Sequence, residues 1–296
     1  MTLNQLQLLF PQATPDTWRQ HCNGGGWVQN TAHVDKTAYV GENAVVHDKA
    51  RVTDNAKVID HARVFGNAWV RDHSEVRDHA EILGDATVSG DASVYGYALV
   101  RDGARVLDRA QVFGSATLLG TPEVCDQAMV YGAAGVQGNA RLAGNAEVYG
   151  NASVFDNAKI DGDATVSGDA SVYGYASVYE LSKVYGAASV RGSATVCGSA
   201  RICGNALIFD VVRVSGDAKV CGKAMVYGFA NVSDRARVFG DACVSGLSAI
   251  YGNAKVYDDA KVFGNARVGG DATVCGNDTV FSDLKVRYEI GQFYWL

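Results

Sequence analysis

All six histidines of this 296-residue sequence fall before residue 80, at His21, His33, His47, His61, His73 and His79. An imidazole changes charge near neutral pH, so it can accept and return a proton or ligate a metal as a neutral base. His61 and His79 stand out because they are 18 residues apart with similar surroundings. Asp60 and Asp78 precede them, Arg63 and Glu81 follow two residues later, and Arg77 lies just ahead of the second pair. This is the densest group of titratable residues in the chain. A plainer expectation is that these histidines are polar turn residues at a solvated corner, which need no function. A metal is not expected. The ligand set is incomplete, because His73 and His79 are six residues apart and fall on different corners.

The elements that must hold these residues are set by a period of six. From Val28 to Val286 every sixth residue is Val, Ile or Leu, at 44 positions without a gap. A period this regular has to be read before any helix or strand is assigned. With the aliphatic as position one, position five is small: of 41 sites from Ala32 to Ala272, only Ser74, Pro122, Ser182, Val212 and Ser248 are not Ala. Positions five and one are two apart and share one face of a short strand. Positions three and four are Gly or Asp followed by a polar residue, types that make turns and tolerate left-handed backbone. Three strand-and-corner sides give 18 residues per coil and about 14 coils. Residues 18 apart then become neighbours. Asn43, His61, His79 and Tyr97 form one corner column, and Tyr95, Phe113 and Tyr131 belong to one outer aromatic column, as Phe155 and Tyr173 do to another. The segments Gly84 to Ala98 and Gly162 to Ala176 are identical but 78 residues apart, a spacing that is not a multiple of 18. A surface that serves on two different faces reads as structural.

These aliphatic-x-x-x-small-x hexads resemble the hexapeptide-repeat transferase family, over residues 28 to 286. The resemblance implies an all-β fold, a single-stranded left-handed parallel β-helix of triangular coils. Its handedness comes from the resemblance alone, since general rules favour right-handed crossovers. It also implies acyl transfer from an acyl-coenzyme A type donor to an acceptor hydroxyl or amine, with acyl-CoA as co-substrate rather than a resident cofactor. A histidine would act as general base: His79 with Glu81, or His61 with Arg63. A cleft between subunits of a homo-oligomer, a trimer or dimer joined through an outer face, would hold the donor. Relatives with γ-type carbonic anhydrase chemistry bind zinc between subunits, but their tight H-x-x-x-x-H pair is missing here. Members of the family also throw loops out between hexads to wall the site, and this sequence has none. That departure favours a second expectation, a non-catalytic rod used for binding or assembly through its aromatic column.

The ends break the period. Leu3, Leu6, Leu9 and Phe10 recur at helical spacing, and Pro11 stops them. Thr14-Pro15-Asp16-Thr17-Trp18 reads as an N-cap and a short second helix, ended by Gly24-Gly25-Gly26. Residues 1–27 are thus expected to be a helical cap on the open end of the coil. Residues 287–296 finish on Phe293-Tyr294-Trp295-Leu296, expected to be a lid or an association patch. A net charge of −6 argues against a nucleic-acid surface. No apolar run is long enough to span a membrane, and the start is a poor secretory signal. The seven cysteines are odd in number with no C-x-x-C spacing, which reads as reduced thiols in a cytoplasmic protein.

Overall fold

The computed structural model describes residues 1–281 and 285–286; the apolar ending at 287–296 lies outside them. Each hexad folds as a two-residue strand and a turn, as in Glu147–Val148, Ser153–Val154 and Lys159–Ile160. Within each unit, from Trp27–Gln29 onward, strands pair in parallel with the strand 18 residues away, so Glu75 and Val76 face Ser93 and Val94. The result is an all-β left-handed parallel β-solenoid with 18-residue, three-sided turns, preceded by one helix.

Contacts divide the chain into two compact units, Met1–Asn145 and Ala146–Leu296. In the first, one sheet runs through Trp27–Gln29, Val45–Val46, Arg63–Val64, Glu81–Ile82 and Leu99–Val100. A second runs through His33–Val34, Arg51–Val52 and Trp69–Val70, and a third through Tyr39–Val40, Lys57–Val58 and Glu75–Val76. The second unit repeats the plan; one of its sheets passes through Ser189–Val190, Leu207–Ile208, Met225–Val226 and Cys243–Val244. Position one is the core of both: Val64, Ile82, Val100, Val190, Ile208 and Val226 are fully buried. Each such side chain contributes about 1.5–3 kcal/mol by leaving water. Position-five alanines such as Ala62 and Ala80 are equally buried and leave room at the corner. At two of the three serines that replace alanine, Ser74 and Ser182, the hydroxyl donates back to its own turn carbonyl, Arg71 O at 2.7 Å or Tyr179 O at 2.8 Å, whereas the buried Ser248 hydroxyl has no partner among the described residues.

Position three takes a left-handed backbone, which explains its glycines. From Asp48 onward, where the described residue is not glycine it is acidic; Asn30, Lys36 and Glu42 of the first hexads lack the left-handed backbone. Among the described residues, thirteen non-glycine positions have positive φ, twelve Asp and Glu180. In all thirteen the carboxylate accepts the backbone N–H of the residue 18 positions on. Asp78 Oδ2 accepts from Gly96 at 2.9 Å, and Asp126 Oδ2 from Gly144 at 2.9 Å. The carboxylate offsets the steric cost of the left-handed corner by satisfying a donor of the adjacent coil.

The start of the chain corrects one expectation. Leu3–Leu9 is a helix, capped by Thr2 with Gln5 in a capping box. The expected second helix does not form. Thr14 to Thr17 make a turn, with Trp18 N–H donating to Thr14 O at 2.9 Å. Trp18–Gln20 is then a strand, antiparallel to Trp27–Gln29. The open sheet edge offers backbone partners that one helical turn cannot match. The three glycines make the return bend: Gly24 and Gly25 have φ of +107° and +77°, and a Cβ on Gly26 would lie 2.3 Å from Gly41 O.

A second correction concerns cysteine. Cys203 and Cys221 are joined by a disulfide, with Cα atoms 4.6 Å apart. Both occupy position two of successive coils, so a sequence spacing of 18 becomes direct stacking. Cys22, Cys125, Cys197, Cys243 and Cys275 are free. The reading of seven reduced thiols therefore fails, and the compartment inferred from it loses that support. No helix among the described residues is long and apolar enough to cross a membrane.

Candidate functional site

The fold brings His61 and His79 together. Their rings stack with centroids 5.1 Å apart and planes 20° from parallel, and Tyr97 continues the stack at 4.9 Å and 17°. Their backbones are fixed by the solenoid: His61 N–H donates to Asp78 O and His79 N–H to Gly96 O, both at 2.8 Å. The side chains point outward from a corner, and Tyr97 is 68% exposed. Among the described residues no side-chain hydrogen bond reaches either imidazole. Asp60 and Asp78 are occupied as corner acceptors for Asp78 and Gly96 N–H.

Glu81 belongs to a different neighbourhood. It lies on the flat of the sheet opposite Arg63, whose Nη1 donates to Glu81 Oε1 at 2.9 Å. Arg63 in turn lies over Phe65 at 5.3 Å and Phe10 at 5.9 Å. The arrangement orders Arg63 and Glu81 around the capped end, while the two stacked imidazoles face solvent. Stacked, open rings of this kind offer their edges to a planar group, but they stand exposed to water.

The more enclosed histidine is His47. It stacks on Phe65 at 4.8 Å and 7°, meets Phe10 edge-on at 4.9 Å, and is only 8% exposed. Its Nδ1 lies 3.3 Å from Asp48 Oδ2, while its Nε2 is buried without a hydrogen-bond partner. A pocket of about 250 Å³ opens beside it, lined by Phe10, Gln12, Thr17, Trp18, Gln29, His47 and Asp48. Burial holds the His47 pKa below its ordinary 6.5, with Arg63 adding to the effect and Asp48 and Glu81 opposing it. Sequence reading passed over this residue, although the signal was present: His47 and Phe65 are both position-two residues, 18 apart. A pH dependence follows. Above about pH 6.5 the ring is neutral folded or unfolded, and its packing is fully available. As pH falls below 6.5 the unfolded chain takes the proton first, so stability is lost toward acid. Melting curves between pH 7.5 and 5 should fall more steeply for the native chain than for His47→Phe; parallel curves would remove His47 from the account.

Among the described residues, Asp108, Cys125 and Asp126 bring three possible metal-ligand atoms within 4.8 Å of one another. Their other contacts explain the grouping. Asp108 Oδ2 accepts from Asp126 N–H at 3.2 Å, and Asp126 Oδ2 accepts from Gly144 N–H. Cys125 is buried, which raises its thiol pKa, and Arg141 Nη2 lies 3.7 Å from its sulfur. A protonated thiol between two corner acceptors is a poor ligand set for a soft cation.

With this geometry in view, comparison of the sequence with known families and with curated proteins finds no match to either. What is shared with hexapeptide-repeat proteins is the fold.

Proposed function

We propose that this protein is a non-catalytic β-helical scaffold, a binding or assembly protein that works through its outer faces. One observation carries the reading: the His61, His79 and Tyr97 stack stands on an exposed corner, on a solenoid whose hexads run without an inserted loop to wall a substrate. Catalysis by acyl transfer depends on oriented groups shielded from water. Glu81, paired with Arg63, is not disposed to assist His79.

The competing reading is an acyltransferase in which His79 or His61 is the general base, with a neighbouring subunit of a homo-oligomer closing the cleft over an acyl-CoA donor. The stacked pair is the observation in its favour. A γ-carbonic-anhydrase-like metal site between subunits finds less support, since the acidic and thiol group at Asp108, Cys125 and Asp126 contains no histidine. A thermal-shift panel of coenzyme A esters, run on the native chain and on His79→Ala, separates the first two. The scaffold reading expects no ester to shift the melting temperature. A shift of several degrees that His79→Ala abolishes would replace it with the acyltransferase.

A further inference from the structure

Position four is a turn residue and is polar or small almost throughout the array. The large apolar exceptions are Tyr97, Tyr175, Leu181, Val211, Phe229 and Leu247. Four of these, Tyr175, Val211, Phe229 and Leu247, fall on one corner of the second unit, following the sheet of Ser171–Val172, Leu207–Ile208, Met225–Val226 and Cys243–Val244. Val211, Phe229 and Leu247 occupy three successive coils and are 51%, 63% and 63% exposed. The neighbouring position-two residues Phe209 and Tyr227 extend the stripe onto the flat of that sheet, stacked at 4.9 Å and 1°. A hydrophobic patch of this kind on a soluble surface marks an interaction site.

Resting on the scaffold reading, we propose that this ridge pairs two copies of the chain, antiparallel, about a twofold axis through Phe229. The order along the corner carries the choice of partner. Stepping by 18, it reads Ser193, Val211, Phe229, Leu247, Asn265: polar, apolar, apolar, apolar, polar, the same in both directions. A twofold interface requires that self-complementarity. Val211 of one copy meets Leu247 of the other, Phe229 meets Phe229, and the exposed Ser193 meets Asn265. The spacing matches as well, because both partners advance by the same rung, 4.6 Å between Cα atoms at Cys203 and Cys221. Glycines stand beside the central knob and one outer one, Gly228 before Phe229 and Gly246 before Leu247, while Asp210 precedes Val211. In area, Val211, Phe229 and Leu247 expose on the order of 350 Å², and Phe209 and Tyr227 widen the stripe toward the small end of specific interfaces, below the ~800 Å² per partner of a standard pair.

Sedimentation equilibrium of the full chain between about 1 and 100 µM tests this. The native chain should sediment as a dimer. Phe229→Asp places two carboxylates against each other on the axis and should weaken the dimer by about 100-fold. Position four accepts Asp, at Asp85 in the same 18-residue column and at Asp169 and Asp241 on another corner, so the circular dichroism spectrum should not change. Leu181→Asp, an isolated knob 57% exposed, should leave the dimer intact. In a Cys22→Ala background, Phe229→Cys should cross-link to itself, whereas Val211→Cys should cross-link only when Leu247→Cys is also present. A monomeric or trimeric native chain, or a dimer indifferent to Phe229→Asp, overturns the pairing. Failure here leaves the ester panel unaffected, and a positive ester panel leaves this pairing unaffected, so the two claims fail separately.

Discussion

Trp18→Ala should cost about 3–5 kcal/mol in the stability of the capped end, the range for removing a buried aromatic side chain. Trp18 is 4% exposed and sits in a small core of its own with Leu6, Ala13, Trp27 and Val45. Phe10 packs on it at 4.9 Å, and His47 completes the aromatic group at 6.2 Å. Its position matters more than its size. Trp18 begins the strand that pairs antiparallel with Trp27–Gln29, opposite Gln29. Without that anchor the covering strand is held by its backbone pairing and by lesser contacts such as Arg19 Nη1 to Asn30 at 3.1 Å and Trp27 Nε1 to Met1 O at 3.0 Å. Release would leave an unpaired sheet edge, the surface on which chains aggregate. Hydrogen exchange should therefore accelerate over residues 18–29 in the variant, with the second unit unchanged, since a solenoid coil feels mainly its neighbours. Protection at residues 27–29 equal to that of the native chain would show that the cap is held elsewhere.

A contrasting pair of substitutions at Gly84 should separate two costs at the corners. Gly84 has φ of +70°, and a Cβ there would lie 2.8 Å from Asp102 N and 2.9 Å from Asp102 Cα. Gly84→Val places a β-branched residue in left-handed backbone against a neighbouring main chain, for a loss of roughly 3 kcal/mol. Gly84→Asp adds the same Cβ but brings a carboxylate that can accept Asp102 N–H, as Asp108 does for Asp126 N–H at 3.2 Å. Its cost should stay below about 1 kcal/mol. Denaturant unfolding of both variants measures the difference. Equal losses would mean that the carboxylate is a passenger at these corners.

The six-residue period made the architecture legible because it fixes both which side chains turn inward and where the backbone must bend. Val64, Ile82 and Val100 could be assigned to the core, and His61 to a place beside His79, from spacing alone. Three features were not read. Trp18 has no periodic partner, and only the open edge at Trp27–Gln29 decides that it joins a strand rather than a helix. Cys203 and Cys221 look remote by ordinary spacing rules and become adjacent only when 18 residues are treated as a single step. His47 shares its column with Phe65, but its burial depends on Phe10 and Trp18 folding back over it, a tertiary event that no local pattern encodes. Glu81 stands two residues from His79, but it lies in a strand while His79 lies in the turn, and its side chain pairs across coils with Arg63, a partner that only the 18-residue step brings alongside.

The position-three acids have a consequence for how such a chain can change length. Each carboxylate serves a backbone donor 18 residues ahead, even where it also accepts from a side chain of its own turn, as Asp54 does from Thr53. An insertion or loss of six residues keeps every aliphatic facing inward, yet it rotates everything downstream by one side and hands the acids of the coil it interrupts a different client. Only whole multiples of 18 preserve the outer columns. Growth and shrinkage of this molecule are thus quantised in two tiers, a fine one that the core tolerates and a coarse one that the surface demands.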